Sequence, residues 1–323
     1  MPYHRLTPQQ RYAIGVLIRS KTSQKQIAKD IGVAPSTISR ELRRCGMGSS
    51  GYCAAKAQEH AESLGPRSGR PVPAETILYA EEQLRTGQWS PEQISGRIRL
   101  DNGIANVSHE TLYQHIYRDK NAGGDLHTHL RQPAKSYRKR GCGRERRGRL
   151  KDQVMIDERP PVVEERSRIG DWEMDTVIGR PGGPVLVTMV ERKSRYTLIG
   201  LAASKEALEV GSAILDAMAA HRDKVLTTTY DNGKEFAHHR LIGDLLDASA
   251  YFAHPYHSWE RGLNENTNGL IRQYFPKGMD FSTLTPEAVM DIQEKLNSRP
   301  RKCLDYLTPN DIFKPPPPIA LAA

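Results

Sequence analysis

Three acidic sites in the second half of this sequence sit where carboxylates could converge on a divalent cation. Asp231 ends the strand candidate Val225–Asp231 and opens the turn signal Asp231-Asn232-Gly233. Glu265 lies on a helical stretch that follows His257. At ~100° per residue, Asn268, Gly269 and Arg272 share its face, while Leu263, Leu270 and Tyr274, with Ile271 close by, fall near the opposite side. A carboxylate, an amide, a bare backbone patch and a guanidinium on one stripe exceed what a buried core helix needs. The third site is a strand-like run from Ile169 to Ile178, where Trp172, Met174 and Thr176 alternate with Asp171, Glu173 and Asp175. Alternation alone leaves those three acids equivalent. Taken singly, each site has a plainer role: a turn residue, an exposed helix residue, a charged edge-strand residue.

Taken together they point to metal chemistry. Hard divalent ions prefer oxygen ligands, so Asp and Glu suit Mg²⁺, with Mn²⁺ as a substitute. Two such ions about 4 Å apart activate one oxygen and stabilise another, which is the chemistry of phosphodiester cleavage and strand transfer. Clustered carboxylates repel one another and tend to have raised pKa values until a cation arrives. Arg272 could counter a phosphate or the charge of the site. His254 and His257 fit a positional or solvated role better than proton transfer, and Trp259 could stack on a displaced base.

The elements that must hold these residues read as an α/β core. Val185–Val190 and Tyr196–Leu201 are short strand candidates, and Ser204–Arg222 and Phe236–Leu246 are helical. Ala250–Ala253 is one more strand candidate. Three strands, then helix, strand, helix and strand, fit a mixed sheet flanked by helices.

The first half reads differently. Residues 8–19 carry Tyr12, Ile14, Val16, Leu17 and Ile18 at helical spacing, a second helix starts near Ser23 with Ile27, Ala28 and Ile31 inward, and Gly32 turns the chain. Pro35 opens a third helix to about Arg44, with Ile38 and Leu42 on one side and Ser36, Arg40, Arg43 and Arg44 on the other, Thr37 beside them. An apolar docking stripe backed by a basic, hydroxyl-rich stripe is what a major-groove recognition helix needs. Residues 74–120 repeat the pattern less strongly. Ile77, Leu78 and Leu84 mark one helix, and Ser90-Pro91-Glu92-Gln93 caps the next, with Ile94 and Ile98. The last helix follows Ser108, with Leu112 and Ile116 inward and Thr111, Gln114 and Arg118 outward. A structural or dimerising role competes with DNA contact there.

Charge follows the same division. The 323 residues carry a net +9. Residues 131–151 alone hold ten Lys/Arg against one Glu, residues 1–130 are net +5, and residues 152–323 are net −5. In the middle stretch Arg138, Lys139, Arg140, Arg146 and Arg147 are interrupted by Gly141, Gly143 and Gly148, a pattern for a flexible cationic strap across phosphates. No apolar run approaches the ~20 residues of a membrane span, and the start shows no secretory signal. Cys45, Cys53, Cys142 and Cys303 form no C-x-x-C pair, so reduced thiols are expected rather than a disulfide framework or a zinc site.

Three segments closely resemble the catalytic core of bacterial insertion-sequence transposases. They are Trp172-Glu-Met-Asp175-Thr, Tyr230-Asp231-Asn-Gly-Lys-Glu-Phe236, and the run from His254 through Glu265 and Arg272 to Gly278. These enzymes belong to the DDE class. The best match is the insertion-sequence-thirty family, which also has two N-terminal helix-turn-helices. The 33 residues between Asp231 and Glu265, and a basic residue seven positions after the Glu, are part of that pattern, and Leu296–Lys302 with Leu307-Thr308-Pro309 looks like its C-terminal continuation.

The resemblance implies an α/β ribonuclease-H-like (integrase-type) catalytic core preceded by all-α helix-turn-helix DNA-binding domains. It selects Asp175 among the three strand acids and makes Asp175, Asp231 and Glu265 the metal ligands. It also implies recognition of terminal inverted repeats by the N-terminal region. The expected organisation is a helix-turn-helix domain (1–48), a linker (49–72), a second helical domain (73–130), a basic linker (131–160), a catalytic domain (161–314) and a disordered tail (315–323). The expected partner is double-stranded DNA, both element ends and target. A homo-oligomer on that DNA, in the bacterial cytoplasm at the nucleoid, is the expected setting. A DNA-binding regulator and a nuclease that hydrolyses without joining are the competing readings.

Overall fold

The computed structural model describes residues 6–44, 51–63, 71–101, 103–131, 152–255 and 257–315, without the side chains of Ser258 and Trp259. The basic positions Arg138, Lys139, Arg140, Arg146 and Arg147, and the tail from residue 316, lie outside the described residues. The chain divides into two compact units, Met1–Pro71 and Val72–Ala323.

In the first unit, α1 (Pro8–Arg19), α2 (Gln24–Ile31) and α3 (Pro35–Arg44) enclose a small core of Ile14, Ile27, Ala28, Ile38 and Leu42. Thr7 and Gln10 form a capping box, Ser23 caps α2, and Gly32 ends it at φ 74, a conformation glycine adopts without strain. A buried ion pair, Arg11 Nε to Glu41 Oε1 at 2.7 Å, ties α1 to α3. Helix α4 (Ala54–Ser63) packs on α1. Tyr12 and Val16, two of the apolar residues at helical spacing, are exposed. A three-helix unit has one interior stripe, and Ile14 fills it.

The second unit opens with α5 (Ala74–Arg85), α6 (Pro91–Ile98) and α7 (His109–Asn121) around Leu84, Ile94, Ile98, Leu112 and Ile116. Ser90 and Gln93 make the capping box that the sequence signalled. Leu78, one of the residues that marked α5 in the sequence, is exposed. This helical stretch belongs to the same compact unit as the sheet and touches the segment 299–311. Gly96 lies so close to Tyr306 that a Cβ would strike the ring, and Arg97 pairs with Asp311 at 2.7 Å. Arg299 donates to the Gly87 carbonyl at 3.3 Å.

The sheet follows a short α8 (Val162–Glu165). Its strands are β1 (Asp171–Ile178), β2 (Val185–Glu191), β3 (Thr197–Ala202), β4 (Thr227–Tyr230) and β5 (Ser249–Phe252). The order is β3-β2-β1-β4-β5, antiparallel among β1, β2 and β3 and parallel among β1, β4 and β5. That is a ribonuclease-H-like sheet. Helices α9 (Ala207–Met218) and α10 (His239–Leu246) cover one face over Trp172, Met174, Val187, Ile214 and Phe252. Helices α11 (Gly262–Ile271) and α12 (Pro286–Asn297) cover the other over Val177, Leu186, Leu270, Ile271 and Leu296. The short α13 (Pro309–Phe313) places Phe313 against Trp172. Part of the expected basic linker belongs to this body, since Phe252 N–H donates to the Val154 carbonyl at 2.9 Å and extends the β5 edge. Among the described residues no helix is long and apolar enough to cross a membrane.

Candidate active site

β1 is the central strand, covered on both faces, so its three acids had to be reconciled with burial. Asp171 is buried, held by the Arg168 guanidinium in two 3.0 Å contacts and by Thr227 Oγ1 at 2.8 Å. Glu173 is buried against Arg192 Nη1 at 2.6 Å. Burial pushes its pKa up, opposed chiefly by Arg192 and Arg159. Both acids are committed to structural ion pairs. Asp175, one step nearer the strand's end, lines an open cleft of about 1120 Å³ together with Asp231.

Asp231 stands just past the end of β4. Its Oδ1 accepts the Gly233 N–H at 2.8 Å, the Asx turn that Asp-Asn-Gly favours. Asn232 pins the turn by donating to the Ala253 carbonyl at 2.6 Å and accepting from Gln153 at 2.8 Å. Parallel pairing of β1 with β4 brings the two Asp side chains to the same sheet end. One guanidinium lies between them: Arg261 Nη1 is 3.7 Å from Asp175 Oδ1 and Nη2 is 3.5 Å from Asp231 Oδ2. Asp175 has a pKa raised by burial, opposed by Arg261 and reinforced by Asp231 and Glu235.

Helix α11 completes the surroundings. Asn268 donates Nδ2–H to Asp175 Oδ2 at 2.8 Å and accepts from Thr188 Oγ1 of β2 at 3.2 Å. Glu265 is exposed one turn earlier on that side. Arg272 sits on the same stripe and donates to the backbone carbonyls of Ile178, at 2.8 Å, and Phe275, at 3.4 Å. Its position ties the helix to the end of β1 rather than facing a carboxylate. Leu270 and Ile271 bury the opposite side.

The acids of the proposed triad are not drawn to a single metal-binding distance. Among the described residues, the three-residue set whose ligand atoms lie within 4.8 Å of one another is His254, His257 and Glu260. Both His Nδ1 atoms meet Glu260 Oε1 at 3.0 Å, and His254 Nε2 meets Asp157 at 2.9 Å. This network braces the segment entering α11. The Trp259 side chain lies outside the described residues.

Two residues escaped the sequence reading. Arg261 was passed over because its partners are far away in the chain. Glu235 is buried in the cleft wall, accepting from Thr176 Oγ1 at 3.2 Å and paired with Lys205 at 3.0 Å. Its signal was its place four residues after Asp231, beneath Gly233, where a Cβ would collide with its carboxylate. The DNA-reading candidates sit as follows. Ser36, Arg40, Arg43 and Arg44 are exposed on α3 and Thr37 is half-buried, with Arg44 3.7 Å from Glu41. Gln114 and Arg118 are exposed on α7.

Comparison with known proteins adds lineage. Residues 2–45 match the family model of a helix-turn-helix domain. The chain is 45% identical over 315 residues to the transposase for insertion sequence element IS4351 of Bacteroides fragilis, covering 96% of this chain and 95% of that protein. It is 35% identical to the transposase for IS1086 of Cupriavidus metallidurans, covering 96% and 94%. It is 33% identical to transposase InsI for IS30A of Escherichia coli K12, covering 96% and 83%. Among solved structures, the catalytic core domain of BIV integrase aligns with 46% of this chain and 95% of its own, at 21% identity and a TM-score of 0.36. A helix-turn-helix unit, a ribonuclease-H-like sheet and near full-length likeness to insertion-sequence transposases together place the chain in the IS30 family of those transposases.

Proposed function

We propose that this transposase cuts and joins DNA strands in a divalent-metal-dependent reaction at Asp175, Asp231 and Glu265. The observation that carries the reading is Arg261, one cation shared by two carboxylates from different strands at the mouth of an open cleft. A site that holds its acids around a positive charge is built for a cation. Burial raises the Asp175 pKa against the effect of Arg261, so a cation in the cleft would favour its charged form. Aspartate and glutamate oxygens are the donors that Mg²⁺ or Mn²⁺ prefers, so the residues fit the ion. Asp175 and Asp231 would hold it, with Glu265 joining from α11. Bound there, Mg²⁺ would polarise the scissile phosphate and lower the pKa of the attacking hydroxyl.

The chain's own residues do the rest. Asn268 holds the Asp175 carboxylate through Oδ2, while Oδ1 accepts the Thr176 N–H at 2.9 Å. The turn at Gly233 aims Asp231 at the same point. Arg261 screens the two acids in the resting protein and, once displaced, is free to meet a phosphate. Arg272 anchors α11 to the end of β1, which keeps Glu265 in register with the strand. Upstream, α3 would read the terminal inverted repeats through Ser36, Thr37, Arg40, Arg43 and Arg44, with Gln114 and Arg118 of α7 as a second contact. Arg138, Lys139, Arg140, Arg146 and Arg147 would supply sequence-independent phosphate contacts, and the protein would act as a homo-oligomer on two DNA ends.

A strand-transfer assay with DNA carrying the element's ends, in Mg²⁺ or Mn²⁺, tests this. Wild type should nick and join, while Glu265→Gln should do neither and still bind DNA. Joining by Glu265→Gln would sink the proposal, and hydrolysis by wild type without joining would leave a nuclease.

A further inference from the structure

A second polar pocket lies on the other flank of α11. It is a cavity of about 260 Å³ lined by Arg166, Arg195, Arg301, Asn266 and Thr267, together with Gly262 at the start of the helix. At ~100° per residue, Thr267 and the neighbouring Leu263 lie about 160° from Glu265, so this pocket opens away from the Asp175 face.

Its charge is unbalanced. No Asp or Glu lines it, and among the described residues none of the three arginines makes an ion pair. Arg301 is 9% exposed, donates from Nη2 to the Leu296 carbonyl at 3.0 Å, and has a buried Nε without a hydrogen-bond partner. Arg195 also has a buried, unpartnered Nε. Guanidinium donors withdrawn from water and left unpaired are costly unless a ligand satisfies them. Burial, and then the neighbouring Arg299, holds the Arg301 pKa down at about 10, and burial with Arg195 and Arg192 lowers that of Arg166. The cations crowd one another, so an anion among them relieves repulsion as well as making bonds. The N-terminus of α11 adds to this. Its first residue is Gly262, no side chain caps it, and its leading N–H groups carry partial positive charge.

We propose that this pocket seats a backbone phosphate of duplex DNA. The planar forks of the arginines match phosphate oxygens, with Asn266 and Thr267 as neutral partners. The pocket is open at the surface, which suits a phosphate still linked into a polymer. The assignment to DNA rests on the reading of the chain as a strand-transferring transposase. It extends that reading, because a phosphate gripped on one flank of α11 fixes the duplex relative to Glu265 on the other. The DNA held here is a stretch beyond the reacting bond.

Binding of labelled duplex DNA by the full chain, in EDTA so that no chemistry occurs, tests the pocket separately from the catalytic reading. Arg166→Gln with Arg195→Gln should weaken binding roughly five- to tenfold near 0.1 M salt and make the slope of log affinity against log salt shallower by about 0.9 for the one lost phosphate. Asn266→Asp sets a carboxylate in the pocket on an exposed, helix-compatible position and should weaken binding in the same direction. If the double variant does not fold, Asn266→Asp decides alone. Unchanged affinity and slope in variants that melt like wild type would overturn the proposal. A parallel melting series with inorganic phosphate against chloride separates a free anion. Phosphate stabilisation lost in the variants, with DNA binding unaltered, would assign the pocket to small anions and overturn the DNA assignment. Either failure leaves the loss of joining in Glu265→Gln untouched.

Discussion

Asn268 on α11 donates its carboxamide N–H to Oδ2 of Asp175 on β1, at 2.8 Å and across 93 residues of sequence. With the Arg272 bond to the Ile178 carbonyl, it ties the helix carrying Glu265 to the strand carrying Asp175. With Asp175 as the proposed metal ligand, Asn268 would position it, and loss of such a partner typically costs 10–100-fold in metal affinity or activity. Asn268→Ala should lower strand transfer by about that factor and weaken Mn²⁺ binding in parallel, with little change in DNA affinity. A fall in joining with metal affinity intact would show that Asn268 acts elsewhere.

Arg261 predicts the opposite direction. Because its guanidinium lies within 3.7 Å of Asp175 and 3.5 Å of Asp231, it competes with any cation for the same oxygens. Arg261→Ala should tighten Mn²⁺ binding several-fold, read by calorimetric titration, and enlarge the rise in melting temperature on adding Mn²⁺. Weaker binding would mean that Arg261 orients the acids rather than standing in for the ion.

The ion pair of Glu173 with Arg192 is structural. Arg192 also reaches Glu164 at 3.0 Å and the Val163 carbonyl at 3.2 Å, so it clamps α8 to the sheet. Arg192→Met strands a buried carboxylate and should destabilise the protein by about 3–5 kcal/mol, whereas adding Glu173→Leu should recover part of that loss. Denaturant unfolding of both variants measures it, and strictly additive losses would contradict it.

His254 gives a pH dependence. Its pKa is raised from the ordinary 6.5, first by the hydrogen bond to Glu260 and then by Asp157, against the effect of desolvation. A histidine whose folded pKa is raised stabilises fully below its unfolded value, and the contribution fades as pH rises through the folded value. The turn from His254 to Glu260 should therefore be best held below pH 6.5 and loosen above the raised midpoint. Titration of the His254 ring by NMR should give a midpoint above 6.5 that Glu260→Gln moves back down. An unshifted midpoint in wild type would contradict the assignment.

The residues differ in how far sequence could place them. Glu265, Asn268 and Arg272 were legible as one stripe because helical periodicity is local, and Asn268 and Arg272 both bond to β1. The three acids of β1 were not separable by alternation. A central strand is buried on both faces, and what distinguishes Asp171 and Glu173 from Asp175 is their partners, Arg168, Thr227 and Arg192, chosen by the tertiary fold. Arg261 and the arginine pocket were illegible for the same reason, since Arg166, Arg195 and Arg301 meet only when three separate loops fold onto α11. Turn chemistry carried well: Gly32, Ser90 and Asp231-Asn232-Gly233 each do what their residue types favour. Element ends and the exposure of Tyr12, Val16 and Leu78 did not, because a short helix has room for one buried stripe.

In the proposed site the Asp231 carboxylate touches the divalent ion. Replacing it with a thiolate tests that contact directly, because a softer ligand suits Mn²⁺ better than Mg²⁺. Strand transfer by Asp231→Cys should be abolished in Mg²⁺ and partly restored in Mn²⁺, with wild-type melting and DNA affinity. Equal activity in the two metals, or equal loss in both from a folded, DNA-binding protein, would contradict the account.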